Sequence, residues 1–163
     1  MKYTLESSRE FYNNYPGKRA SAALIVRRDD QYLMIKHDYK DVMTFPSGLI
    51  DPDESPLATV LRETKEEIGL ELSRNDVSFY AVTYIGEHNG FKDRFHFFFV
   101  ADISDEQANG LVFEEGVEYH EWVPVGEVAG KAGRRSVYSN LQQMLENGKP
   151  ETYFESTSLF RES

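Results

Sequence analysis

The chain has no cysteine among its 163 residues. That excludes disulfides, thiolate metal sites and thiol nucleophiles together. It also lacks any apolar run of the roughly 18 residues that a membrane-spanning helix needs. Its first twenty residues hold no apolar stretch, so no secretory signal is expected and a cytoplasmic location is the simplest expectation. Cations are scarce: 18 Lys and Arg face 28 Asp and Glu, for a net charge of −10. Sequence-independent binding to DNA or RNA is therefore disfavoured, because it needs cations to neutralise phosphates. Docking to anionic membranes is disfavoured for the same reason. A small phosphorylated ligand is still compatible, since a bound divalent cation and a few local cations can reverse the field inside a cleft. Internal repeats and low-complexity segments are absent as well.

The length suits one domain, residues 1–163, with 1–18 as an N-terminal extension and 148–163 as a tail of uncertain structure. Ala20 to Arg27 and Gln31 to Lys36 read as strands of a hairpin turning at Asp29-Asp30. Val77 to Gly86 and Asp93 to Ile103 read as two more, with Asn89-Gly90 in the loop between. Glu118 to Val123 reads as a short strand; Val125 to Ala129 and Val137 to Leu145 read as helices. Strands mixed with a crossover helix and late helices predict a layered α/β domain.

The most informative stretch is residues 48–70. Ser55 followed by Pro56 suits an N-cap and first helical position. Leu57, Leu61, Thr64 and Ile68 recur at helical spacing as an apolar stripe, and Gly69 suits a left-handed C-terminal cap. The spacing predicts a helix over 56–68. Glu63, Glu66 and Glu67 then fall at i, i+3 and i+4 on one flank. Like charges so placed repel by roughly 0.2–0.5 kcal/mol per pair. Such glutamates are ordinarily a solvated surface. Clustered beside a glycine-bearing loop, they instead suit hard divalent cations such as Mg²⁺ or Mn²⁺, which prefer oxygen ligands.

Gly48, Glu54, Arg62, Glu63, Glu66, Glu67 and Gly69 together match G-x5-E-x7-R-E-U-x-E-E-x-G-U, with U a bulky apolar residue. At roughly 6% per residue type, such a match arises by chance in about one chain per million. The pattern resembles the signature of the Nudix hydrolases; Thr64 departs from it at the first U.

The resemblance implies an α/β/α sandwich around a mixed β-sheet. It implies Mg²⁺-dependent (Mn²⁺ being the alternative) hydrolysis of the diphosphate linkage in a nucleoside diphosphate joined to another moiety. ADP-ribose, nucleotide sugars, dinucleoside polyphosphates and nucleoside triphosphates all fit that description. It implies Glu66 and Glu67 as metal ligands, Glu63 as a third ligand or water-mediated contact, and a backbone carbonyl of Ser47 or Gly48. Arg62 is expected to clamp a box carboxylate and Glu54 to orient the loop. The general base is a box glutamate or one from the later loop, where Glu115 is favoured over Glu118 and Glu114. Lys36, His37, Arg94, His96 and Tyr84 are the candidate substrate contacts. The Phe95, Phe97 and Phe99 series reads as core more readily than as a stacking platform.

Three other readings compete. A Nudix-type isopentenyl diphosphate isomerase needs a cysteine that is absent. A non-catalytic sensor binding a nucleotide such as ADP-ribose usually loses box carboxylates, which are all present. A capped or triphosphorylated RNA end keeps the chemistry and changes the substrate, against the acidic charge. Many relatives are dimers, so a homodimer is compatible, though no interface can be named.

Overall fold

The computed structural model describes residues 4–14, 16–87, 91–134, 136–150 and 152–156. Along the chain run α1 (Leu5–Asn14), β1 (Arg19–Arg28), β2 (Gln31–His37), β3 (Ser47–Leu49), α2 (Pro56–Ile68), β4 (Ser78–Ile85), β5 (Arg94–Asp102), α3 (Asp105–Asn109), β6 (Val117–Pro124), α4 (Val128–Lys131), α5 (Ser136–Asn147) and β7 (Tyr153–Ser156). The described strands form one mixed sheet in the order β6-β2-β1-β5-β4-β7, with β3 pairing β1 off that path.

β1 is the organising strand. It runs parallel to β5 and antiparallel to β2 and β3. Ala22 through Val26 are all buried because both faces of the sheet are covered. Ala22, Leu24 and Val26 face the core beneath α2; Ala23 and Ile25 face the core under α4 and α5. The protein is thus an α/β/α sandwich around a mixed sheet. Arg28 pairs with Gln31, so the turn is the two-residue hairpin at Asp29-Asp30, and Asp29 takes φ 52°. Asp tolerates that left-handed conformation better than most residues.

α2 keeps both its sequence-predicted ends. The Ser55 hydroxyl oxygen accepts from the Ala58 N–H at 3.1 Å, and Gly69 adopts φ 67° with its N–H donated to the Lys65 carbonyl at 3.0 Å. The stripe is rotated from its expected centre. Val60, Thr64 and Ile68 are buried at i, i+4 and i+8, with Thr59 beside them, while Leu57 and Leu61 flank them half-buried. Glu67 joins the buried side.

Four elements escaped the sequence pattern. α1 lies within the N-terminal extension, and β7 adds a parallel edge strand to β4 from the tail. α3 is a single capped turn whose Ser104 hydroxyl accepts from the Gln107 N–H. β3 occupies what reads as a Ser/Gly loop, because its pairing is supplied by β1 and not by its own composition. The expected helix at Val125–Ala129 is a 3₁₀ turn, Val125–Glu127, followed by α4. Asn89 and Gly90 lie outside the described residues. Among the described residues no helix is long and apolar enough to cross a membrane.

Candidate active site

The site is assembled where β3, the end of β2 and the last turns of α2 meet. Pairing of Ser47, Gly48 and Leu49 with Ala23, Ala22 and Ser21 on β1 fixes the loop before the box helix. A Cβ at Gly48 would lie 1.9 Å from Glu63 Oε1, so the glycine is there to admit that carboxylate. It is not among the residues with a left-handed backbone.

Glu67 is 5% exposed. Its Oε2 accepts from the Ser47 N–H at 2.8 Å, and its Oε1 meets His37 Nε2 at 2.8 Å. Burial, followed by the negative charge of Glu63, pushes the Glu67 carboxyl up to about 8 against the Ser47 hydrogen bond. Burial also raises Glu63, opposed by its bond from Arg62.

Arg62 is the hub of the outer half. Its Nε and Nη2 donate to the two oxygens of Glu54 at 2.8 and 3.0 Å, and its Nη1 donates to Glu63 at 2.7 Å and Glu66 at 3.2 Å. Nη2 also reaches the Leu49 carbonyl at 3.3 Å. Glu54 takes a further bond from the Thr59 hydroxyl at 2.7 Å. The Arg62 bond, then the Thr59 hydroxyl, hold the Glu54 carboxyl down at about 2.

The three box carboxylates therefore do not converge on one point here. Glu63 and Glu66 rest on Arg62, with Glu66 exposed, while Glu67 turns inward. The acidic group that does converge is Glu67 with Glu114 and His37, whose donor atoms lie within 4.8 Å of one another. Glu114 is latched there by its N–H, which donates to the Glu67 carbonyl at 3.0 Å. Glu115, the candidate base favoured from the sequence, is exposed and is not part of this group. A one-residue shift in an extended segment changes which side chain faces the box.

Several candidate substrate contacts are placed differently from expectation. His37 is buried against Glu67 and does not line the open cleft. Lys36 Nζ pairs with Glu118 Oε2 at 2.5 Å across the neighbouring strand, which also engages the second candidate base. Tyr84 donates its hydroxyl to Asp93 at 2.8 Å, beside the Lys18–Asp93 ion pair. Arg94 and His96 do line a cavity of about 310 Å³ that opens against Ser47 and Gly48. His96 Nδ1 contacts the Ser21 hydroxyl, and burial followed by the charges of Arg94 and Lys40 lowers the imidazole to about 3. It is thus a neutral hydrogen-bonding group. Thr44, Lys40 and Tyr138 also line this cavity. They escaped the sequence reading, having no motif, and Tyr138 comes from α5, remote along the chain.

Carboxylates, a backbone loop and water access make a hard-oxygen donor set. Burial penalises the ionised form of Glu67, which a bound cation would offset. Both features fit a divalent cation.

Comparisons agree with this architecture. The family model for the NUDIX domain matches residues 17–141. An RNA pyrophosphohydrolase of Pseudomonas putida is 40% identical over 68 residues, which span 41% of this chain and 42% of that relative's length. The dihydroneopterin triphosphate pyrophosphohydrolase of E. coli superposes with a TM-score of 0.65 at 14% identity, over 81% of this chain and 99% of that one. The NUDIX domain of Shewanella oneidensis NrtR, solved with ADP ribose, superposes with a TM-score of 0.65 at 15% identity, over 86% and 97%. The last two likenesses speak for the fold alone. With the family model covering most of its length and all seven signature letters present, the chain belongs to the NUDIX domain family.

Proposed function

We propose that this chain is a pyrophosphohydrolase acting on a nucleoside diphosphate joined to a further group. The supporting observation is Glu67: a buried carboxylate with each oxygen held by a protein partner, at the edge of an open cavity. Carboxyls so displaced by burial cluster at functional sites.

Glu67, Glu66 and Glu63, with a carbonyl of Ser47 or Gly48, would hold Mg²⁺ or Mn²⁺. When bound, such an ion polarises phosphorus and lowers the pKa of attacking water. The remaining work falls to the chain's own residues. Arg62 and Glu54 stiffen the loop so that the Ser47 amide keeps Glu67 oriented. Arg94 and Lys40, lining the cavity, favour phosphate against a molecule of net charge −10. Glu114 is the preferred general base, since its carboxylate faces the same cluster as Glu67. The water oxygen bonds to a phosphorus of the diphosphate as its proton passes to that carboxylate, the P–O bond to the departing phosphate breaks, and two phosphate-bearing products leave.

The relative named as an RNA pyrophosphohydrolase supports a 5′-phosphorylated RNA end as a competing substrate; the shortage of cations favours a small nucleotide. The test is a panel of ADP-ribose, NADH, dinucleoside polyphosphates, nucleoside triphosphates, nucleotide sugars and a 5′-triphosphorylated oligoribonucleotide, each with Mg²⁺ or Mn²⁺. Metal-dependent release of a phosphate-bearing product supports hydrolysis. A ligand-dependent rise in melting temperature with no release would instead identify a sensor.

A further inference from the structure

The strand-end histidine faces inward, and its surroundings give it a task distinct from the phosphate contact that a cation at that place suggests. His37 is 4% exposed. Its Nε2 lies 2.8 Å from Glu67 Oε1, and its Nδ1 lies 3.9 Å from Glu114 Oε1. The opposite oxygen of Glu67 is already fixed by the Ser47 amide at 2.8 Å. Two contacts on two different oxygens remove the rotation of a carboxylate about its last torsion. One contact alone would leave it free to pivot.

The backbone braces the same arrangement. The Asp38 N–H donates to the Gly116 carbonyl at 3.0 Å, tying the end of β2 to the loop that carries Glu114. The Glu114 N–H ties that loop to the last turn of α2. Tyr39 stacks on the imidazole with ring centroids 5.4 Å apart, which restricts the ring from its outer side.

We propose that His37 is a positioning residue: it holds the Glu67 carboxylate in the orientation that meets a divalent cation, and it spaces that carboxylate from Glu114. This rests on the cation-dependent reading above. A carboxylate that binds a cation is ionised and only accepts hydrogen bonds, so in that state the imidazole supplies the proton of the Nε2 contact. Partners that hydrogen-bond a metal ligand typically change metal affinity by about 10–100-fold when removed.

The experiment uses Mn²⁺ alone as the probe, followed by electron paramagnetic resonance, on the full chain. His37→Met fills the buried space without a donor. His37→Gln places an amide N–H near the position of Nε2. The expected result is that His37→Met weakens Mn²⁺ binding about 10–100-fold and that His37→Gln restores most of it, with both variants giving the wild-type circular dichroism spectrum. Equal Mn²⁺ affinity in His37→Met and wild type would overturn the proposal. So would a Gln variant as weak as the Met variant when both are folded. Should either variant fail to fold, electron spin echo modulation of the Mn²⁺-loaded wild type decides. An absence of ¹⁴N coupling agrees with positioning, whereas coupling from a directly bound imidazole makes His37 a ligand and overturns it. Wild type that binds no Mn²⁺ removes the cation-dependent reading itself, which separates that failure from the failure of His37's role.

Discussion

Gly48 and Glu63 touch so closely that no side chain fits between them: a Cβ on Gly48 would fall 1.9 Å from Glu63 Oε1 and 2.6 Å from its Cγ. The box glycine and the first box glutamate are thus one steric unit. Gly48→Ala must swing Glu63 away and break its 2.7 Å bond from Arg62. Overpacking of this kind costs about 1–3 kcal/mol. The expected outcome is a modest loss of stability with a loss of about tenfold or more in Mn²⁺ affinity, as for other disturbances around metal ligands. Calorimetric titration alongside urea unfolding checks it; unchanged affinity would show that Glu63 is not needed there.

Arg62→Lys tests the clamp. The guanidinium meets both oxygens of Glu54 while a third nitrogen serves Glu63 and Glu66, and an ammonium cannot reproduce that fork. The side chain is 30% exposed, so solvent screens part of the interaction. A loss of about 1–3 kcal/mol is expected. A urea midpoint equal to wild type would mean that the clamp contributes nothing to stability.

The pH dependence follows from Glu54. Its carboxyl is held at about 2 in the folded chain, by the Arg62 bond first and the Thr59 hydroxyl next, against 4.5 ordinarily. A depressed folded value means that the stabilisation is complete above 4.5 and is lost as pH falls toward about 2. Glu67 shifts the opposite way, to about 8, so its protonation favours the fold fully below 4.5 and adds no slope in the acid window. Melting temperature between those two pH values should therefore fall more steeply in wild type than in Glu54→Gln. Parallel curves would remove Glu54 from the acid transition.

Glu67→Gln separates function from folding. The substituted amide can still accept from Ser47, and it removes a charge that burial disfavours. Metal-dependent turnover should drop about 100-fold or more. The melting temperature without metal at pH 8 should hold or rise. Near-wild-type turnover would take Glu67 out of the mechanism.

The α2 ends were legible because Ser55, Pro56 and Gly69 act on their own neighbours. Gly48 was legible as required, but its reason was not, since Glu63 reaches it from fifteen positions away. The choice of Glu114 over Glu115 depends on how one short segment lies along α2, fixed by the Val112 and Glu114 amides. His37 read as a substrate contact because the family resemblance places phosphate-facing cations at the end of that strand. The covering loop at Glu114–Gly116 makes it an interior residue. What failed to read from sequence was contact between distant segments, and the cavity lining of Thr44, Lys40 and Tyr138 is of that kind.

Thr64 stands where the family signature carries a bulky apolar residue. It is 1% exposed, and its hydroxyl has no hydrogen-bond partner among the described residues. A buried hydroxyl without a partner forfeits its hydration and regains nothing, a penalty of about 1–3 kcal/mol. Valine has nearly the same shape and a similar helix propensity. It would put a methyl between Val60 and Ile68 on the buried stripe. Thr64→Val should therefore stabilise the chain by about 1 kcal/mol, which raises the melting temperature of a protein this size by about 2–4 °C. A differential scanning measurement reads this directly. A lower melting temperature would mean that the hydroxyl has a partner, such as a buried water, that stabilises it more than a methyl would.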